Sequence, residues 1–88
     1  MTPFARVAIA HGMDVASDGT VYVCDGASNR VVHLSATGKR LGLVGPLFDD
    51  PYSVRVAPGG VLYVVESLEA GDIRRVSSDG TVTTVSRG

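Results

Sequence analysis

Cysteine is nearly absent from these 88 residues: Cys24 stands alone, with no partner for an internal disulfide. It lies in an apolar run, where burial as a small hydrophobe outweighs a reactive thiol. An excess of charge of one sign is missing too. Nine Asp and Glu oppose eight Lys and Arg, so no basic field steers the chain toward nucleic acid or anionic lipid. Long hydrophobic runs are also lacking. The opening MTPFARVAIAHG has one Arg and an apolar stretch only from Val7 to Ala10, too short for a signal-peptide core or a membrane span. Neither nucleic acid nor a membrane is therefore an expected partner, and a cytoplasmic setting is favoured with the compartment left open. No segment keeps a helical period, and glycine recurs too often for one, so helices are not expected.

What is present is enough apolar residues, 44%, to exclude simple disorder, and an internal repeat. Gly12 to Asp25, GMDVASDGTVYVCD, aligns on Ser53 to Glu66, SVRVAPGGVLYVVE, at an offset of 41. Val15 falls on Val56, Gly19 on Gly60, Tyr22 on Tyr63 and Val23 on Val64. After one inserted residue the match resumes at an offset of 42, with Asn29 to Ser35 on Gly71 to Ser77 and Gly38 on Gly80. A period near 41 made of short β-rich runs cut by glycine turns fits a four-stranded propeller blade.

Turn chemistry divides each unit. Ser17-Asp18-Gly19, Ala36-Thr37-Gly38, Pro58-Gly59-Gly60 and Ser78-Asp79-Gly80 place glycine where a tight hairpin needs positive φ. Strands are expected near Met13 to Ala16, Val21 to Cys24, Arg30 to Leu34 and Arg40 to Val44, then Val54 to Ala57, Val61 to Val65, Ile73 to Val76 and Val82 to Val85. The second strand of each unit is apolar at consecutive positions, which predicts cover on both faces and burial of both Tyr22 and Tyr63. The expected organisation is an edge segment over 1–11, a first blade over 12–45, a connection over 46–52 and a second blade over 53–88.

Gly12, Val15, Gly19, Val21, Tyr22, Val23, Asp25, Asn29, Arg30 and Val31 stand in the order and spacing of an NHL repeat, which the first unit resembles well. The second unit departs, with Ser53 for the glycine, Glu66 for the aspartate and Gly71-Asp72 for Asn-Arg. The resemblance implies an all-β fold of two four-stranded antiparallel blades in a propeller that generally has six. It also implies a range of activities, from protein- and RNA-binding modules to sensor domains, with lactonases, strictosidine-synthase-like enzymes and amidating lyases on similar propellers. Three copies of two blades would make six, so a homotrimer is expected, because isolated repeats leave apolar sheet faces in water.

Chemistry is sparser than architecture. His11, Asp14, Asp25, Asn29, Asp49, Asp50 and Glu66 are scattered, without paired spacing for a metal. No Gly-x-Ser-x-Gly elbow and no phosphate-cradling glycine loop occurs. His33, inside an expected strand, reads as a packing or surface residue. The face bearing the loops between second and third strands and between blades remains as the ligand surface. Its candidates are Asp25, Asn29, Phe48, Asp49, Asp50, Tyr52 and Glu69, an aromatic and acidic rim suited to a protein or a polar small molecule. Competing structural roles are a loop acceptor for Asp25 and a plug between blades for Phe48. The alignment also sets Asp14 opposite in sign to Arg55 at equivalent inner-strand positions, which predicts a pair across a blade seam or along the channel. The chain is thus expected to be a non-catalytic binding or assembly module without a cofactor. The alternatives are a lactonase- or lyase-like propeller enzyme, which would need Ca²⁺ or Zn²⁺ at the channel mouth, or a fragment of a longer propeller.

Overall fold

The computed structural model describes residues 10–26, 28–45, 48, 50–66 and 71–86, with backbone only for 10 and 11. Four strands, β1 (Ala10–Val15), β2 (Val21–Asp25), β3 (Arg30–Leu34) and β4 (Arg40–Val44), form one antiparallel sheet in chain order. Four more, β5 (Pro51–Ala57), β6 (Val61–Glu66), β7 (Asp72–Val76) and β8 (Val82–Ser86), form a second in the same order. The protein is all-β, two blades of a partial propeller; the one helical feature among the described residues is a 3₁₀ turn at Pro58–Gly60. Pro51 and Tyr52, expected in the connection, belong to β5. Both β1 and β5 begin earlier than turn chemistry places them, and each extension passes through a register irregularity, Ala10/Met13 and Pro51/Ser53. These sit at equivalent places in the repeat.

Three hairpins share one closing pattern. Ala16 N–H donates to Thr20 O and Gly19 N–H to Ala16 O, and the Ser35 to Lys39 and Ser77 to Thr81 turns repeat it. Gly19 and Gly80 sit at φ of 86° and 92°, a conformation that costs other L-residues energy. Asp18 Oδ1 accepts from the Thr20 backbone N–H and hydroxyl at 2.9 and 2.6 Å, and Asp79 Oδ1 accepts from Thr81 N–H at 2.9 Å. Such short side-chain bonds make these residues turn formers rather than site residues.

Strand register assigns the faces, since side chains alternate and partners across a ladder point the same way. Asp14, Tyr22 and His33 lie side by side, as do Cys24, Val31 and Val44. On the second sheet, Val54, Val64, Arg74 and Thr84 line up, as do Val56, Leu62, Val76 and Val82. These two faces meet. Cys24 and Val31 from blade 1 join Phe48, Val54, Leu62, Val64 and Val76 in one buried cluster, flanked by Tyr22, Val44, Val56 and Val82. Burial of each such side chain stabilises by roughly 1.5–3 kcal/mol, so the seam is the main core. A second cluster, Val21, Val23, Val32 and Leu34, is buried on the face of blade 1 turned away from blade 2.

Cover on both faces therefore holds for β2 but not for β6. In β6 only Leu62, Val64 and Glu66 are buried, while Val61, Tyr63 and Val65 are half-buried on the face directed away from blade 1. Tyr22 and Tyr63 are both half-buried, short of the burial their apolar strands predict. Tyr22 stacks flat on the cross-strand His33, ring centroids 4.2 Å apart and 3° from parallel, and its phenol is raised above its usual range by burial and then by Asp18.

The close approach of β1 to β5 depends on Gly12. A Cβ there would stand 2.8 Å from Tyr52 O and 3.1 Å from Ser53 Cα, so the inner strands could not meet at this distance with a side chain between them.

Candidate functional site

The loop end of the two blades gathers part of the expected rim. Phe48 N–H donates to Asn29 O at 2.9 Å, tying the segment after β4 to the β2–β3 loop. The Phe48 ring itself is 4% exposed and packs in the seam. It seals the blades and offers no ligand surface, which corrects its place among the rim candidates. The apolar ring gains more from the seam than from water, and the Asn29 bond fixes it there.

Asn29 and Asp50 have φ of 56° and 53°, the two non-glycine residues in the left-handed region among those described. Asn and Asp tolerate that region best, and residues held there gather at binding sites. Both are exposed. Tyr52, on β5, is 40% exposed. Asp25 is buried at the end of β2 and its Oδ2 accepts from the Ser28 hydroxyl at 3.1 Å, so it braces the loop as a local acceptor. Asp49 and Glu69 lie outside the described residues.

At the repeat position equivalent to Asp25, the second blade carries Glu66, 4% exposed. Arg74 Nε donates to Glu66 Oε1 at 2.6 Å and Arg74 Nη1 to the Thr84 hydroxyl at 2.8 Å. This ion pair escaped the sequence reading, although a signal existed. At the places where the first unit has Asp25 and Val32, the second has an acid and a base together.

Asp14 is placed at the seam as expected, but its partner differs. Its Oδ2 accepts from Val56 N–H at 2.8 Å and its Oδ1 from Val15 N–H at 2.9 Å. The Val56 bond foremost, with the Val15 bond and the Arg55 charge behind it, holds the carboxyl below its usual range against the opposing pull of burial. Arg55 is exposed, shares a face with Tyr63 and makes no ion pair with Asp14 among the described residues. A backbone amide outcompetes the guanidinium because the register fixes it in place at no side-chain entropy cost.

Other chemistry is thin among the described residues. No three of His, Cys, Asp and Glu come together as a metal set, and no helix is long and apolar enough to cross a membrane. Cys24 is fully buried and burial raises its thiol to about 11. A cleft of about 310 Å³ opens between the blades toward the β7–β8 hairpin, against Tyr22, Val44, Leu62 and Ser77; no described rim candidate lines it.

No protein-family model matches the chain, and no curated protein matches it. Solved structures do. A streptogramin B lyase superposes at a TM-score of 0.63 with 21% identity over 85% of this chain and 25% of that one. Virginiamycin B lyase from Staphylococcus aureus gives 0.66 with 16% identity over 85% and 26%. At these identities the likeness is one of fold, a β-propeller fold, and this chain spans about a quarter of the length of those two proteins.

Proposed function

We propose that the chain works as a non-catalytic binding module whose contact surface is the loop end, formed by the β2–β3 loop and the start of β5. The observation that carries this reading is the pair of left-handed non-glycine residues, Asn29 and Asp50, on two segments joined by the Phe48–Asn29 bond. A rim whose backbone is already shaped before a partner arrives loses less entropy on binding. Its exposed Asp50, Asn29 and Tyr52 offer acceptors and an aromatic edge to a protein or polar small molecule that brings hydrogen-bond donors. NMR titration with an Arg- and Lys-containing peptide, and separately with a neutral oligosaccharide, tests it. Amide shifts confined to residues 25–30, 50 and 52 with either probe are expected, and silence with both overturns the reading.

The solved neighbours are lyases, which keeps an enzyme as the second reading, although their likeness to this chain is one of fold. Such an enzyme would use Ca²⁺ or Zn²⁺ at carboxylates of this end. Metal analysis of the purified protein distinguishes the two, because a stoichiometric ion displaced by Asp50→Asn or Glu66→Gln would favour the enzyme.

A further inference from the structure

We infer that the outward face of blade 2 is a docking surface for an acidic polypeptide, one whose carboxylates meet Arg55 and Arg75 while an apolar side chain between them covers Tyr63. Cross-strand register sets these three residues side by side on β5, β6 and β7, in the order cation, aromatic, cation. Val61, Val65 and Ile73 share the face and are half-buried. No described residue on this face is acidic. Glu66 and Asp72 lie in register on the opposite face, turned to the seam, and Asp79 sits in the β7–β8 hairpin. Arg55 is exposed, and neither it nor Arg75 has a carboxylate partner among the described residues. Arg75 commits one N–H, from Nη1, to Ser77 Oγ at 3.1 Å. Asp14 feels the Arg55 charge but gives its oxygens to the Val56 and Val15 amides.

The internal seam shows what such a row receives. Its repeat equivalent on blade 1, Asp14, Tyr22 and His33, faces blade 2, and Asp14 there accepts the Val56 N–H. Blade 2 carries Arg55 at that position. A guanidinium only donates, so whatever covers this face must bring acceptors where blade 2 brought a donor. Against two cations the acceptor that gains most is a carboxylate. A second copy of the chain does not supply one, because the outward face of blade 1 is the aliphatic, already buried set Val21, Val23, Val32 and Leu34, and Asp14 lies on the seam side. A nucleic acid fits poorly, since two cations neutralise few phosphates and the aliphatic side chains beside them stay uncovered. An extended polypeptide meets both needs. The row spans two interstrand spacings, about 10 Å, and a segment with acidic residues four apart and an apolar one midway puts its carboxylates about 13 Å apart on one face. Long arginine side chains splaying outward close that difference.

This inference does not depend on the loop-end reading, because the face lies on the sheet and not on the rim. NMR titration with a synthetic peptide repeating Glu-Ser-Leu-Ser tests it, beside one repeating Lys-Ser-Leu-Ser. At low salt the acidic peptide is expected to shift amides of residues 53–57, 61–65, 73–75 and 83, and to bind more weakly as salt screens the contact. Arg55→Ser/Arg75→Ser should weaken it by roughly tenfold, two exposed ion pairs' worth. Should that double variant unfold, Arg55→Ser alone, at an exposed position, should cost roughly threefold. Shifts at residues 25–30, 50 and 52 with the basic peptide would concern the loop end and leave this face untouched. Silence with the acidic peptide at millimolar concentration, an equal response of this face to the basic peptide, or unchanged affinity in the folded arginine variants would overturn the inference. So would a single-stranded DNA oligonucleotide that shifts the same amides as strongly, since a general polyanion field would then explain the contact.

Discussion

Asp14 Oδ2 lies 2.8 Å from the backbone nitrogen of Val56, across the seam between two blades. One short carboxylate thus binds blade 1 to the inner strand of blade 2, and the same carboxyl accepts its own neighbour's N–H from Val15. Because these bonds favour the ionised form, the folded carboxyl titrates below its ordinary value of 3.8. Its contribution to stability is then fully present above that value and is lost as pH falls through the lowered folded value.

Asp14→Ala should destabilise the protein by about 1–2 kcal/mol at neutral pH, the range for a partly solvated charge-assisted hydrogen bond. Urea unfolding at pH 7 and pH 3 checks it. The difference between wild type and variant should shrink at the lower pH, whereas a gap that stays constant would place the effect in packing.

Gly12→Ala should open the seam. The added Cβ has backbone atoms of Tyr52 and Ser53 at 2.8 and 3.1 Å, and backbone cannot step aside as a side-chain tip does. A loss of about 1–3 kcal/mol, typical of overpacking, is expected in thermal or urea unfolding. The exposed hairpin residue Ala36→Ser serves as a control with little change.

Removing the Arg74 side chain takes the ion-pair partner from a carboxylate that is 4% exposed. A fully buried pair would lose about 3–5 kcal/mol on truncation. Arg74 is itself 36% exposed, so water compensates in part and roughly 1–3 kcal/mol is expected for Arg74→Met. The double variant Glu66→Gln/Arg74→Met should recover some of that loss in chemical unfolding; no recovery would mean that the pair is not coupled.

Cys24 should be inert in the native protein. With the thiol raised to about 11 by burial, almost no thiolate exists at pH 8, and the thiolate is the nucleophile. Reaction with iodoacetamide at pH 8 should be slower than in the urea-unfolded chain by a hundredfold or more, read by mass spectrometry. Equal rates would show that the strand end opens readily.

Sequence alone fixed the blades. Alternating and consecutive apolar runs between glycine turns located all eight strands, with β3 and β4 at their observed bounds, because period and turn chemistry are local properties of the chain. The three-residue starts of β1 and β5 were hidden, since a bulge follows from how the inner strands meet and not from residue type. Only tertiary structure decided the seam. It drew Phe48 from the rim into the core, gave Asp14 to the Val56 amide in place of Arg55, and paired Glu66 with Arg74. Each of these is a competition between partners far apart in sequence, resolved by which group the packed sheets hold within reach. The asymmetry of the second strands has the same origin. The apolar run is similar in β2 and β6, but β2 is buried on both faces and β6 on one, because cover is supplied by neighbours that a strand's own residues do not specify.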